Sequence, residues 1–181
     1  MLGFLTALLT GVGCSSGGGE GTTMPALTCS DGGAPTTNTV AMRCGGLTAG
    51  SMERVDVMIG GPSSGITTLR GLNFDAVYDP SKLEFLSVSS AASELFPPSA
   101  LVVAELDNGQ QGRVVVSIQQ VGAFPDVAVS TGQHLALSLS FRVVAGAMFG
   151  PTPVQFDVNT SEATDASATL AFAGDLRLAH Q

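Results

Sequence analysis

Apolar residues in this chain recur mostly at every second position, the period that gives each face of an extended strand its own row of side chains. From Arg54, Val55, Val57 and Ile59 alternate with other residues until Gly60-Gly61-Pro62 ends the run, which predicts a first strand. Leu72, Phe74, Ala76 and Tyr78 then alternate with Gly71, Asn73, Asp75 and Val77. Asp79-Pro80 breaks this second strand. Proline presets the φ of a type I turn, and the Asp79 carboxylate is placed to accept from the amides of Ser81 and Lys82. Leu83 therefore swings back toward the core, and Glu84 to Val88 resumes as a strand. Leu95 and Phe96, in the loop that follows, are expected to tuck under the sandwich edge.

Leu101 to Leu106 and Arg113 to Val121 flank Asp107-Asn108-Gly109-Gln110-Gln111-Gly112, where Asn-Gly between β-branched runs signals a hairpin. His134 to Val144 alternates most cleanly. Leu135, Leu137, Leu139, Phe141 and Val143 form one row, and His134, Ala136, Ser138, Ser140 and Arg142 the other. Val154 to Val158, Ala168 to Phe172 and Leu176 to Ala179 bring the expected count to nine strands. No 3.6-residue period competes, and no internal repeat is visible, so the prediction is one all-β antiparallel sandwich.

The N-terminal third lacks this pattern. Residues 1–13, MLGFLTALLTGVG, are an apolar run too short to span a membrane and suited to a signal peptide. Gly13-Cys14 resembles the end of a bacterial lipobox, which implies acylation of Cys14 after cleavage and a lipid anchor in the membrane. Residues 14–51, rich in Gly, Ser and Thr, are expected to be a flexible linker, leaving 52–181 as the domain. Cys29 and Cys44 form an even pair in an exported chain, the arithmetic of a disulfide. Closing a loop of about 15 residues is worth about 3 kcal/mol in the chain-entropy model, and the bridge is expected to staple that flexible segment. Two free thiols holding a metal would need His or Cys partners that the sequence does not place nearby.

The run from Tyr78 to Val88, YDPSKLEFLSV, resembles the corner of cohesin modules, the receptor halves of cellulosome assembly, and of related carbohydrate-binding modules. The similarity extends from about Arg54 to Ala179. It implies a nine-stranded sandwich of jelly-roll topology and a noncatalytic module whose partner is a dockerin-like protein. Cohesins hold dockerin helices on one sheet face built from their third, fifth, sixth and eighth strands. Carried onto this count, the outward positions are Arg113, Val115, Ser117 and Gln119 on strand five, and Ala136, Ser138 and Ser140 on strand six.

Charge and residue inventory narrow the function classes. A net charge of −8, with only seven Lys and Arg scattered singly, opposes binding to nucleic acid. There are two histidines, no G-x-S-x-G elbow, no H-E-x-x-H and no phosphate loop, so no catalytic residue is assigned. No metal or cofactor is expected either. The oxygen ligands beginning at Asp157 lose the calcium pattern at Glu162, where the loop needs Gly, and at Ala168, where it needs a bidentate Glu. Polysaccharide binding is the main rival to protein docking, disfavoured because there is no Trp and the single Tyr78 lies in an apolar row. An envelope structural or adhesion protein is the third class.

Overall fold

Alternating rows pair into two facing sheets in the computed structural model, which describes residues 27–48, 52–174 and 176–181. The leader and Cys14 lie outside the described residues. In chain order the strands are β1 (Leu27–Ser30), β2 (Thr39–Thr48), β3 (Met52–Gly60), β4 (Thr67–Leu69), β5 (Gly71–Val77), β6 (Leu83–Ser89) and β7 (Leu101–Leu106). They continue as β8 (Arg113–Gln119), β9 (Val127–Val129), β10 (Gln133–Val143), β11 (Phe149–Phe156), β12 (Glu162–Thr164), β13 (Ala171–Ala173) and β14 (Leu176–His180). No helix occurs among the described residues.

The first sheet runs β1-β14-β11-β5-β8-β7, and β12 extends the ladder along β5 past the end of β11. The second runs β13-β2-β3-β10-β6, and β4 pairs β9 in a separate two-stranded ribbon. Every pairing is antiparallel except that of β13 with β2. The all-β sandwich class stands, with fourteen strands rather than nine. The five additions are β1, β2, β4, β9 and β12. Four of them are three or four residues long, too short for alternation to declare itself.

The fifth, β2, corrects the linker expectation. Residues 27–48 belong to the sandwich: Val40 and Met42 are buried and face Ile59 and Val57 across the β2–β3 ladder. Inward Val40, Met42 and Cys44 do alternate, but Gly45-Gly46 and a Ser/Thr-rich approach mask the period. Cys29 and Cys44 are joined, with Cα atoms 5.9 Å apart. Because Cys29 sits on β1 and Cys44 on β2, the bridge ties the first sheet to the second rather than closing a flexible loop.

The core lies between the sheets. Phe74 of β5 meets Phe156 of β11 edge to face at 5.2 Å, and Tyr78 and Phe85 each pack against Phe141 of β10. The Asp79 corner carries the chain from one sheet to the other. Ser81 donates from its amide (3.0 Å) and hydroxyl (2.6 Å) to Asp79 Oδ1, whereas the Lys82 amide donates to the Asp79 carbonyl. Phe96, in the loop between β6 and β7, is buried.

Candidate protein-binding face

Each sheet of a sandwich has one dry face and one wet face, and pairing register decides which side chains share the wet one. On β8, Val114, Val116 and Ile118 point inward, which turns Arg113, Val115, Ser117 and Gln119 outward. The ladder sets Val77, Asp75, Asn73 and Gly71 of β5 beside them in that order. On the other flank, Glu105, Val103 and Leu101 of β7 lie beside Val115, Ser117 and Gln119. Beyond β5, Glu162 and Thr164 of β12 complete the surface.

Two hydrogen-bonded groups stiffen this face. Ser117 Oγ donates to Asn73 Oδ1 at 2.7 Å, and Asn73 Nδ2 donates to Glu162 Oε1 and Thr164 Oγ1 at 3.2 and 3.1 Å. Arg113 Nε donates to Asp75 Oδ2 at 2.9 Å, with a second close contact from Nη2, while Nη1 reaches Asp157 Oδ2 at 3.1 Å. Thr160 Oγ1 also donates to Asp75 Oδ2, at 2.7 Å. The hydrogen bonds that Arg113 donates to Asp75 push its pKa up, against the opposing effect of desolvation. Arg113 is thus folded down along the sheet. Asp157, where the calcium-like spacing begins, spends one carboxylate oxygen on Arg113 and the other on the Asn159 amide.

Between these groups and the free edge of β7, the surface is apolar and open. Leu101, Val103 and Val115 are 53%, 38% and 45% exposed. Leu101 and Val103 were not read from the sequence as site residues, nor were Asn73 and Asp75. The available signal was phase, since each stands in the outward row of its own alternating strand.

The remaining predicted positions do not join this face. Ala136, Ser138 and Ser140 lie on β10, in the other sheet, so the seven residues divide between opposite sides of the sandwich. The error has a physical origin: with β2 unrecognised, the strand count ran one short, and position six fell on a strand of the wrong sheet. Ala136 sits at a bulge in the β10–β3 ladder and is fully buried. Ser138 Oγ donates to Asp56 Oδ1 at 2.6 Å, and Ser140 lies between Arg54 and Ser87. That second wet face is polar, with Arg54 paired to Asp56 and Arg142 donating twice to the Glu84 carboxylate.

No family model matches the chain, and no curated protein matches it. Solved structures do. The third cohesin of ScaC, in complex with a ScaB dockerin mutated in its C-terminal helix, from Acetivibrio cellulolyticus, superposes with a TM-score of 0.56 at 16% identity, over 76% of this chain and 96% of that one. The seventh ScaB type I cohesin of Pseudobacteroides cellulosolvens gives 0.55 at 14%, over 76% and 88%. A type I cohesin–dockerin complex from Clostridium thermocellum gives 0.54 at 12%, over 80% and 92%. The fold is therefore that of cohesin modules.

Proposed function

Starting from the cohesin fold, we propose that this chain is a noncatalytic, exported binding module that docks a dockerin-like helical protein on the wet face of β11, β5, β8 and β7. The observation that carries this reading is the patch of Leu101, Val103 and Val115 lying open beside polar groups already locked to one another. A helix laid there covers apolar area and freezes few side chains, the two conditions under which a modest interface gains affinity. Export is supported by the Cys29–Cys44 bridge, since disulfides persist in oxidising compartments. Acylation of Cys14, the leader at 1–13 and a part in polysaccharide breakdown belong to the same proposal. Loss of fatty-acid labelling in Cys14→Ala tests the anchor.

The docking test uses immobilised full chain to capture partners from native culture medium, with Val115→Arg and, on the opposite face, Ser140→Arg. A captured protein with a dockerin-like helical segment, lost in Val115→Arg and retained in Ser140→Arg, is the expected result. Equal loss in both variants, or retention of the wild type on insoluble polysaccharide with no protein captured, overturns it. Ala136→Arg is unsuitable, because the buried position would report folding instead of docking.

A further inference from the structure

Where β1 is bridged to β2, a buried acid meets the disulfide. Glu53 of β3 stands in the inward row with Val55, Val57 and Ile59, and is 1% exposed. Its Oε1 accepts from the Gly46 amide at 3.3 Å, and its Oε2 has no hydrogen-bond partner among the described residues. The Glu53 carboxylate and the Sγ atoms of Cys29 and Cys44 all lie within 4.8 Å of one another. An apolar residue would fill this position at lower cost, since a buried carboxyl with a free oxygen is penalised by desolvation. Neither the fold nor the docking face makes use of it.

We propose that Glu53, Cys29 and Cys44 form a thiol–disulfide exchange site, with external dithiols as substrate and the Glu53 carboxyl as proton donor to the leaving sulfur. Cys29 is the point of attack, because β1 is the edge strand of its sheet whereas β2, which carries the equally half-buried Cys44, is flanked by β13 and β3. An external thiolate bonds to Cys29 Sγ, the Cys29–Cys44 bond breaks, and Cys44 Sγ leaves with the electron pair. Glu53 protonates that sulfur. The second thiol of the reagent, as thiolate, then displaces Cys29 from the mixed disulfide, and Cys29 takes a proton from water. The dithiol ends as a cyclic disulfide, having supplied two electrons, and solvent reprotonates Glu53. Donation to the leaving group matters because the leaving sulfur's basicity limits exchange.

The surroundings favour a carboxyl that holds its proton. Burial pushes the Glu53 pKa up and Asp56 on its own strand adds to this, against the Gly46 amide and Arg54, which lower it. On β2, the charge beside Cys44 is internally balanced: Asp31 accepts from the Cys44 amide at 2.8 Å and from Arg43 Nε at 3.0 Å. Breaking the bridge removes the covalent link between the sheets at β1, the strand that continues into the N-terminal segment.

The test is the rate at which dithiothreitol reduces the full oxidised chain between about pH 4.5 and 8, trapped with a maleimide and divided by the dithiothreitol thiolate concentration. Oxidised glutathione is the reference. The normalised rate of the native chain should fall, relative to the reference, by about tenfold or more as pH rises through the Glu53 ionisation. Glu53→Gln should give a slow, flat profile that matches the native rate only at high pH. A native profile parallel to glutathione overturns the proposal, as does a Glu53→Gln chain reduced faster at every pH, the signature of a carboxyl that only shields the bridge. Should Glu53→Gln fail to fold, the native profile alone decides.

Discussion

Met42→Ala tests whether β2 is an integral strand of the second sheet. Met42 is 1% exposed, faces Val57 across the β2–β3 ladder, and lies one residue beyond the β2–β13 pairing. The substitution removes three buried heavy atoms. At about 0.8 kcal/mol per methylene-sized group the lost transfer energy is about 2.4 kcal/mol. A residual cavity of roughly 50 Å³, at about 24 cal/mol per Å³, adds about 1.2 kcal/mol. The sum, about 3.6 kcal/mol, lies inside the range of buried Met-to-Ala truncations.

Urea denaturation of the oxidised chain should show this as a lower midpoint at unchanged slope, since the surface exposed on unfolding stays nearly the same. Calorimetry should find the melting temperature lower by roughly 7–14 °C, at about 2–4 °C per kcal/mol for a domain of this size. Thr37→Ala, at an exposed position before β2, is the control and should be nearly silent. A Met42→Ala chain within about 0.5 kcal/mol of wild type would refute the placement and return residues 39–48 to the linker.

Arg113→Leu strands the buried Asp75 carboxylate without its charge partner and should lower the urea midpoint at unchanged slope; adding Asp75→Asn should recover part of the loss. Asp79, held to a pKa of about 2 by the Ser81 hydroxyl and then Lys82, should show that value in a carboxyl-resolved NMR titration. Its folded pKa is below the unfolded value, so its contribution is full above about pH 4 and fades as pH falls toward 2; titration near 4 would contradict the corner geometry. Glu53 carries the opposite sign. Its folded pKa is raised, so the native state is favoured below the unfolded value and loses ground as pH climbs through the folded one. Glu53→Gln should therefore stabilise the chain more at pH 7 than at pH 4, and equal effects at both would count against burial of the ionised form.

Where alternation ran for five or more residues, the strands were legible before any coordinates: β3, β5, β8 and β10 stand where Val55, Phe74, Val116 and Leu139 put them. The corner at Asp79 was legible because Asp-Pro has few backbone options. What failed was the region where composition and phase disagree. Thr39–Thr48 combines an inward row of Val40, Met42 and Cys44 with a glycine pair and a linker-like approach, and composition prevailed. That single omission displaced three of the seven predicted face residues, since a transfer that counts strands is only as sound as the count. Glu53 was legible in principle, as an acid in phase with Val55 and Val57. Its nearness to Cys29 depends on two sheets meeting, which no local window contains.

The two wet faces also differ in what a partner would have to disturb. On the second sheet, Arg142 is bonded to Glu84 and Ser138 to Asp56, across the β10–β6 and β10–β3 pairs. Covering these groups desolvates ion pairs, and the exposed apolar side chain they flank, Leu86 at 36%, offers less than the three of the first sheet. On the first sheet, the charged pair is already half withdrawn from water, with Asp75 at 6% exposure, and its bonds run sideways to Thr160 and Asp157. Its desolvation was met during folding, so a helix docked there would meet mainly Leu101, Val103 and Val115. Under that proposal Arg113 would act by lying flat and leaving the apolar patch uncovered. A partner should tolerate a lysine at position 113 poorly, because a single ammonium cannot hold Asp75 and Asp157 in the same fork and would swing into the space the helix needs.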